Sequence, residues 1–147
     1  MTMTPEAETH TPLLICQMAQ QRYALRLPHV VEVSAMVTVT TLPDSHPALL
    51  GMANRRGAPL PIYDLRRVFG FARAAIDVNT LFIVVQADDL RAGLVVDDVF
   101  QVQYVQTDAV QATQSGGQWI SHVISTGEDL YQVLDVATLL QALITTN

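Results

Sequence analysis

The sequence predicts a mainly β protein made of two similar five-stranded β-barrel subdomains with short helices, one of them at the C-terminus. Two observations predict this fold. Short apolar runs alternate with turns rich in Gly, Asn, Asp and Thr, which is the pattern of successive strands. The second half of the chain also repeats the first at an offset of about 70 residues, as a duplicated unit would.

Two pairs of segments carry the repeat. Residues 22–33 align with 91–102, and residues 60–69 align with 131–140, in the same order and at nearly the same offset. The coinciding residues are Arg22/Arg91, Leu25/Leu94, Val30/Val99, Val33/Val102 and Asp64/Asp135. We therefore expect a flexible tail over residues 1–12, then a single domain over 13–147. Its two intertwined barrel subdomains would cover approximately residues 13–75 and 76–147.

The first unit reads as five strands and a helical turn. The predicted strands are Leu13–Met18, Arg22–Leu27, Val37–Val39, Leu49–Ala53 and Ala58–Ile62, and His29–Val33 is compatible with a short helical turn. Pro59 and Pro61 lack backbone donors, so the last of these strands should lie at a sheet edge. Asp64 is expected to cap a helix over Leu65–Phe69 that ends at Gly70.

The second unit repeats this plan. The predicted strands are Leu81–Val85, Gly93–Val96, Val102–Val105, Ile120–Ile124 and Leu130–Val133, with a polar loop over residues 111–118. Asp135 is expected to cap a final helix that reaches about Leu143.

Composition excludes several classes of protein. Half of the 147 residues are apolar, so the chain can bury a core, but the apolar runs fall far short of a membrane span. The N-terminus lacks the features of a signal peptide, and the single Cys16 excludes an internal disulfide. We therefore expect a cytoplasmic protein. The net charge of −6 argues against a general nucleic-acid binder.

No residue pattern predicts an enzyme or a cofactor. The four histidines have no metal-ligand spacing, no glycine-rich loop suits a phosphate, and Cys16 is expected to be a buried inert thiol. The adjacent Asp97 and Asp98 would point to opposite faces of a strand, so both are expected to be solvated. The sequence therefore indicates a protein without catalytic, cofactor-binding or metal-binding residues.

The segment Gly51–Arg66 combines apolar strands with an arginine-rich tip. Asn54 and Gly57 suit a tight hairpin turn, but that turn does not require both Arg55 and Arg56. All eight basic residues of the chain are arginine, a residue favoured at protein interfaces. An exposed arginine pair beside apolar strands is typical of a protein-binding hot spot.

This segment, GMANRRGAPLPIYDLRRVFG, resembles the CheW family of chemotaxis coupling proteins, whose signature is Asn-x-Arg-Gly, an apolar strand with proline, and Asp-Leu-Arg. YALRLPHVVEV, AGLVVDDVFQV and LYQVLDVATLL are similar to further family segments, so the resemblance spans about residues 13–143. It implies two five-stranded barrels, in agreement with the duplication. Arg55 departs from the family pattern, which has an apolar residue there. The second unit, in SHVISTGEDL, lacks a glycine that family members often carry before this hairpin.

The resemblance also implies a function. Family members are adaptors that join the regulatory domain of a CheA-type histidine kinase to the cytoplasmic tip of chemoreceptors, in arrays at the membrane and without inserting into it. The contacts it implies fall on Arg56, with Arg55 beside it, and on Val30, Glu32 and Val33. It also implies that Val95 and Val96 line an apolar groove between the subdomains, which would accept the helical receptor tip.

Three other functions compete with this one. A paralogous chemosensory pathway that controls pili or another non-flagellar output would use the same fold and partners of the same type. A small-ligand sensor would use the groove between the barrels. A cation-assisted hydrolase would depend on Asp97 and Asp98.

Overall fold

The computed structural model describes residues 9–72 and 74–145. In these residues the chain is mostly strand, with two α-helices and two short 3-10 turns, Leu27–His29 and Thr107–Ala109. The strands are β1 (His10–Met18), β2 (Gln21–Arg26), β3 (Val30–Ala35), β4 (Leu49–Arg55), β5 (Ala58–Asp64), β6 (Leu81–Ala87), β7 (Leu90–Val96), β8 (Asp98–Gln106), β9 (Val110–Ala112), β10 (Ile120–Thr126) and β11 (Asp129–Leu134). The helices are α1 (Leu65–Val68) and α2 (Val136–Thr145).

The strands form two sheets, as the predicted fold class requires. Sheet A has the order β8-β1-β2-β11-β10-β9, and sheet B has the order β3-β6-β7-β5-β4. Each sheet contains one parallel pair, β2 with β11 and β7 with β5, and its other pairs are antiparallel. The two sheets thus follow one plan, in which β1 and β2 correspond to β6 and β7, while β10 and β11 correspond to β4 and β5.

The sheets do not follow the division of the sequence near residue 75. The β1–β2 hairpin of the first half pairs with β8 and β11 of the second half. The β6–β7 hairpin of the second half pairs with β3 and β5 of the first. Each sheet therefore contains strands from both halves of the chain. The predicted tail does not extend to residue 12, because residues 10–12 belong to β1. The rest of the predicted tail, residues 1–8, lies outside the described residues.

Hydrogen bonds between Thr40 and β4 join the two ends of sheet B. The Thr40 amide donates to the Met52 carbonyl at 2.8 Å, and the Met52 amide donates to the Thr40 carbonyl at 2.8 Å. A Cβ atom on the neighbouring Gly51 would lie 2.5 Å from the Thr40 oxygen. Glycine at position 51 is therefore required for the close approach of these backbones. The predicted strand over Val37–Val39 is replaced by this single bridge at Thr40.

Two other local predictions need correction. Residues 30–33 form strand β3, so only His29 of the predicted helical turn is helical; β-branched valines favour the strand. Strand β5 lies between β7 and β4 rather than at an edge. Its prolines are tolerated because pairing with β7 begins only at Ile62, so that Pro59 and Pro61 have a strand neighbour on one side only.

The part of the chain that the structure describes has three apolar clusters. Alternate residues of the same strand enter different clusters: Leu13 and Ile15 pack inside sheet A, whereas Leu14 and Cys16 pack in a central cluster that both sheets share. Sheet B has its own cluster around Phe82, built in the same way. Helix α2 adds four buried side chains to the central cluster: Val136, Leu139, Leu140 and Leu143. The two sheets are therefore joined by a continuous core.

A buried ionic network connects the sheets at one edge of this core. The Arg66 side chain is almost fully buried and donates to both carboxylate oxygens of Asp64, from Nε at 2.8 Å and from Nη2 at 3.1 Å. Its Nη1 donates to Asp97, which follows β7, at 3.2 Å. The second oxygen of Asp97 accepts the amide of Ala19, in the β1–β2 turn, at 2.8 Å.

This network changes the interpretation of two acidic residues. Asp64 caps α1 by accepting the Arg66 amide at 3.1 Å, as Asp135 caps α2 by accepting the Thr138 amide at 3.1 Å. Asp64 has the further task of holding a buried guanidinium, and its hydrogen bond raises the pKa of Arg66. Asp97 is not the freely solvated residue expected from the sequence, because it bridges Arg66 and the Ala19 amide.

We expect Arg66→Ala to lower the free energy of unfolding by about 3–5 kcal/mol, because it removes both guanidinium hydrogen bonds to the buried Asp64 carboxylate and leaves only Arg67 Nε nearby, at 4.0 Å. Chemical denaturation at pH 7 measures this change. The control is Arg56→Ala, whose side chain is 77% exposed and should change stability by less than about 0.5 kcal/mol. Equal stabilities of the two variants would contradict the role assigned to the network.

We expect Gly51→Ala to weaken the joining of the ends of sheet B, since the added methyl group meets the Thr40 backbone. Amide hydrogen exchange should accelerate at Thr40 and Met52 before it does in sheet A. Gly57→Ala is the control, because no atom lies within 4 Å of a Cβ at that position, although its φ of +83° disfavours alanine. The Thr40 and Met52 amides should keep their protection in the control. Unchanged exchange in Gly51→Ala would refute the assignment.

Candidate protein-binding site on sheet B

The arginine-rich tip is the hairpin between β4 and β5. Its two-residue turn consists of Arg56 and Gly57, both with positive φ, +54° and +83°, as a type I′ turn requires. The side-chain oxygen of Asn54 accepts the Gly57 amide at 3.0 Å. Asn54 and Gly57 therefore shape the turn, and Arg56 projects from it with 77% of its side chain exposed.

Arg55 has a different position from the one predicted. It lies in β4, its side chain is only 24% exposed, and it forms a two-pronged ion pair with Glu32 of β3. Arg56 also reaches Glu32, at 3.4 Å. Since β3 and β4 are the two ends of sheet B, the Arg55–Glu32 pair links those ends, as the Thr40–Met52 bridge does. The tip therefore presents one exposed arginine rather than two.

A β-bulge in β3 explains how Glu32 reaches this pair. Val30 is opposite Val85 and Glu32 is opposite Val84, so two residues of β3 advance against one of β6. The bulge turns Val30 toward the central cluster and places Glu32 beside Val84, on the face of the sheet B cluster. Hydrogen bonds from Arg55 are the main reason that the pKa of Glu32 is lowered.

These side chains line a depression of about 190 Å³ at one end of sheet B. Leu60 and Val84, both nearly fully buried, lie at its base, and Glu32, Arg55, Arg56 and Arg91 carry its charges. Arg91 extends from β7, and its Nε donates to the neutral side chain of Gln86 at 2.9 Å. Three guanidinium groups thus face one carboxylate in a protein whose net charge is −6.

Sequence reasoning missed Arg91, although a signal was present. Arg91 and Gln86 are cross-strand neighbours, as are Arg22 and Gln17 in the equivalent hairpin of sheet A. The alignment of Arg22 with Arg91 indicates that the two residues occupy equivalent positions. It does not predict which strands and side chains surround each of them. The parallel pairing of β7 with β5, in which Gly93 lies opposite Ile62, brings Arg91 toward the β4–β5 tip.

The apolar residues proposed for binding lie in three different environments. Val33 is 40% exposed on the outer face of β3, next to Val31, which is 41% exposed. Val30 is partly buried against the central cluster. Val95 and Val96 are fully buried, in the sheet B cluster and the central cluster respectively. The expectation that Val95 and Val96 line an open groove is therefore wrong, because core side chains occupy the space between the sheets.

None of the helices among residues 9–72 and 74–145 is long and apolar enough to cross a bilayer.

We expect Glu32→Gln to be less stable than the wild type at neutral pH, with a difference that shrinks in acid. The folded pKa of Glu32 is lowered, so ionised Glu32 stabilises the fold fully above its unfolded pKa, and this is lost as pH falls through the folded value. Urea denaturation between pH 7 and pH 3 measures the difference. When Arg55→Gln is also present, the change in the free energy of unfolding caused by Glu32→Gln should depend little on pH. A pH-independent difference in the wild-type background would contradict the pairing.

Comparison with known proteins places the chain in a family. The family model for the CheW-like domain matches residues 12–143. The chemotaxis protein CheW of Bacillus subtilis is 23% identical over 143 residues, which cover 94% of this chain and 92% of that protein. The probable chemotaxis protein CheW of Rhizobium etli is 31% identical over 101 residues, covering 69% of this chain and 65% of that protein.

Two further similarities are relevant to fold and function. Protein PilI of Pseudomonas aeruginosa is 38% identical over 69 residues, covering 47% of this chain and 39% of that protein. The crystal structure of the scaffolding protein TtCheW from Thermoanaerobacter tengcongensis superposes with a TM-score of 0.80 at 22% identity, covering 86% of this chain and 89% of that one. The family model spans nearly all of the described residues, and the two-sheet fold agrees with it: the chain belongs to the CheW-like domain family.

Proposed function

We propose that this protein is a non-enzymatic adaptor that couples chemoreceptors to a CheA-type histidine kinase in a chemosensory array. The observation that carries the proposal is the match to the CheW-like domain over residues 12–143. The similarity to chemotaxis proteins CheW over most of their length supports the same role. In this proposal the protein acts in the cytoplasm, at receptor arrays on the membrane, and requires no cofactor.

The surface of sheet B supports binding of a protein partner. Arg56 is exposed, and the turn that carries it has a fixed backbone, so little backbone order has to be gained on binding. Val31 and Val33 add exposed apolar area on the outer face of β3. Exposed arginine beside apolar side chains is the composition of a binding hot spot.

The mechanism we propose involves no chemical step. The adaptor holds the receptor tip on one surface and the regulatory domain of the kinase on another, so that both are fixed relative to each other. Simultaneous binding raises the effective concentration of each partner for the other. By linkage, a change in receptor state that alters its affinity for the adaptor also alters the population of kinase states. Since the space between the sheets is filled, the contacts are expected on outer faces and hairpin tips.

A second candidate function is adaptor activity in a paralogous chemosensory pathway that controls pili or another non-flagellar output. The local identity of 38% with Protein PilI favours it, although that similarity covers only 47% of this chain. The fold and the type of partner would be the same in both cases. Binding to the kinase paralogue of each pathway, measured side by side, distinguishes them.

We expect Arg56→Ala to weaken binding to the kinase regulatory domain or to the receptor tip by about 1–4 kcal/mol, because a hot-spot arginine loses its partner contacts. Isothermal calorimetry with each isolated partner measures the change. Arg22→Ala, on sheet A, is the control and should bind as the wild type does. Wild-type affinity of a folded Arg56→Ala for both partners would remove Arg56 from the site. Absence of wild-type binding to either partner would remove the proposed coupling role.

A further inference from the structure

The depression on sheet B contains three guanidinium groups and one carboxylate, so its charges do not balance. The charge of Arg55 is already paired with Glu32 through two hydrogen bonds. Arg56 touches the same carboxylate only at 3.4 Å and is otherwise exposed. Arg91 is exposed, its described side-chain hydrogen bonds go to the neutral Gln86, and no ion pair among the described residues includes it.

Sheet A has an equivalent of Arg91 but none of Arg56. Arg22 occupies the same place in the β1–β2 hairpin as Arg91 does in the β6–β7 hairpin, opposite Gln17. There the guanidinium lies over the Phe100 ring, 4.3 Å from its centroid, which shields the cation on one face. The hairpin tip equivalent to Arg56 and Gly57 consists of Gly127 and Glu128. One fold plan therefore carries an arginine at the β4–β5 tip of sheet B and a glutamate at the corresponding β10–β11 tip of sheet A.

The shape of the depression favours a side chain over a free ion. Its volume of about 190 Å³ is lined by the guanidinium groups and by the exposed apolar residues Ala58 and Pro59. A glutamate or aspartate side chain of a protein would place its methylene groups against Ala58 and Pro59 and its carboxylate against the arginines. A small inorganic anion would leave these two apolar residues exposed to water. Arginine pairs with carboxylates through charge-assisted hydrogen bonds that are stronger than neutral ones.

We propose that this depression binds a carboxylate side chain of the partner protein between Arg56 and Arg91, so that Arg91 determines the preference for acidic partner segments. The inference rests on the proposed function in taking the occupant to be that partner. Glu32 then acts as a positioning residue, because it pairs mainly with Arg55, while Arg56 and Arg91 stay exposed.

The first test uses the arginine side-chain signals of the full chain. With eight arginines and no lysine, the Nε–Hε region of a nitrogen-15 NMR spectrum is simple to assign. The probes are a capped pentapeptide with glutamate between two leucines, the same peptide with glutamine in place of glutamate, and inorganic phosphate, at constant ionic strength. We expect the glutamate peptide to shift the Arg56 and Arg91 signals and not that of Arg22. The glutamine peptide should cause much smaller shifts.

Matched substitutions at the repeated position provide the control. Arg91→Gln should weaken binding of the glutamate peptide about tenfold, as expected for the loss of a charge-assisted hydrogen-bonding partner. Arg22→Gln, at the equivalent place in sheet A, should leave it unchanged. Equal responses to the two peptides, no effect of Arg91→Gln, or shifts caused by phosphate alone would overturn the proposal. So would Arg56 and Arg91 signals that move on dilution, which would indicate occupation by Glu128, at the β10–β11 tip of a second copy.

Calorimetry with the kinase regulatory domain and the receptor tip separates this inference from the proposed function. If the wild type binds a partner and Arg91→Gln binds it equally well, with the same salt dependence, the carboxylate site is refuted while the adaptor role stands. If the wild type binds neither partner but the glutamate peptide still shifts Arg56 and Arg91, the adaptor role fails and the carboxylate site remains.

Discussion

The contact between Arg66 and its two acidic partners is the constraint on which the rest of the structure depends. Asp64 ends β5 in sheet B, Asp97 connects β7 of sheet B to β8 of sheet A, and the Ala19 amide belongs to sheet A. A buried charge is stable only when its hydrogen-bonding groups are satisfied, so this network admits one relative placement of the sheets. Apolar contacts in the cluster between the sheets depend little on orientation. The hydrogen bonds of the network therefore fix how one sheet is oriented relative to the other.

The two sheets share one arrangement of strands but differ in the charge at their surfaces. In sheet A the arginine of the repeated hairpin covers an aromatic ring, and the tip between β10 and β11 is acidic. In sheet B the corresponding arginine points into a cationic depression beside Arg56. Surface charge differs between the two copies while core positions such as Leu25 and Leu94 stay alike. Duplication thus provides two hairpin tips of opposite charge on a common core.

Much of the fold followed from sequence patterns, because strands buried on both faces read as apolar runs and tight turns require particular residues. The hairpins at Asp88–Asp89 and Arg56–Gly57 and the helices capped by Asp64 and Asp135 are local features of this kind. The sequence does not show that each hairpin pairs with strands from the other half of the chain. Equivalent strands of a repeat have similar residues, so their sequences do not distinguish the two possible partners. The burial of Val95 and Val96, the pairing of Arg55 with Glu32 and the position of Arg91 all depend on that exchange and on the bulge in β3.

The hairpin exchange has a consequence for how the protein is made. Strand β1 pairs with β8, as in His10 with Gln106, and β2 pairs with β11 near the end of the chain. During synthesis the first hairpin therefore leaves the ribosome long before its neighbours exist, with apolar side chains on both faces. Pairings of such long sequence separation form slowly and leave strand edges exposed in the meantime. The order of translation, rather than the final stability, sets the period in which this chain is most vulnerable to aggregation.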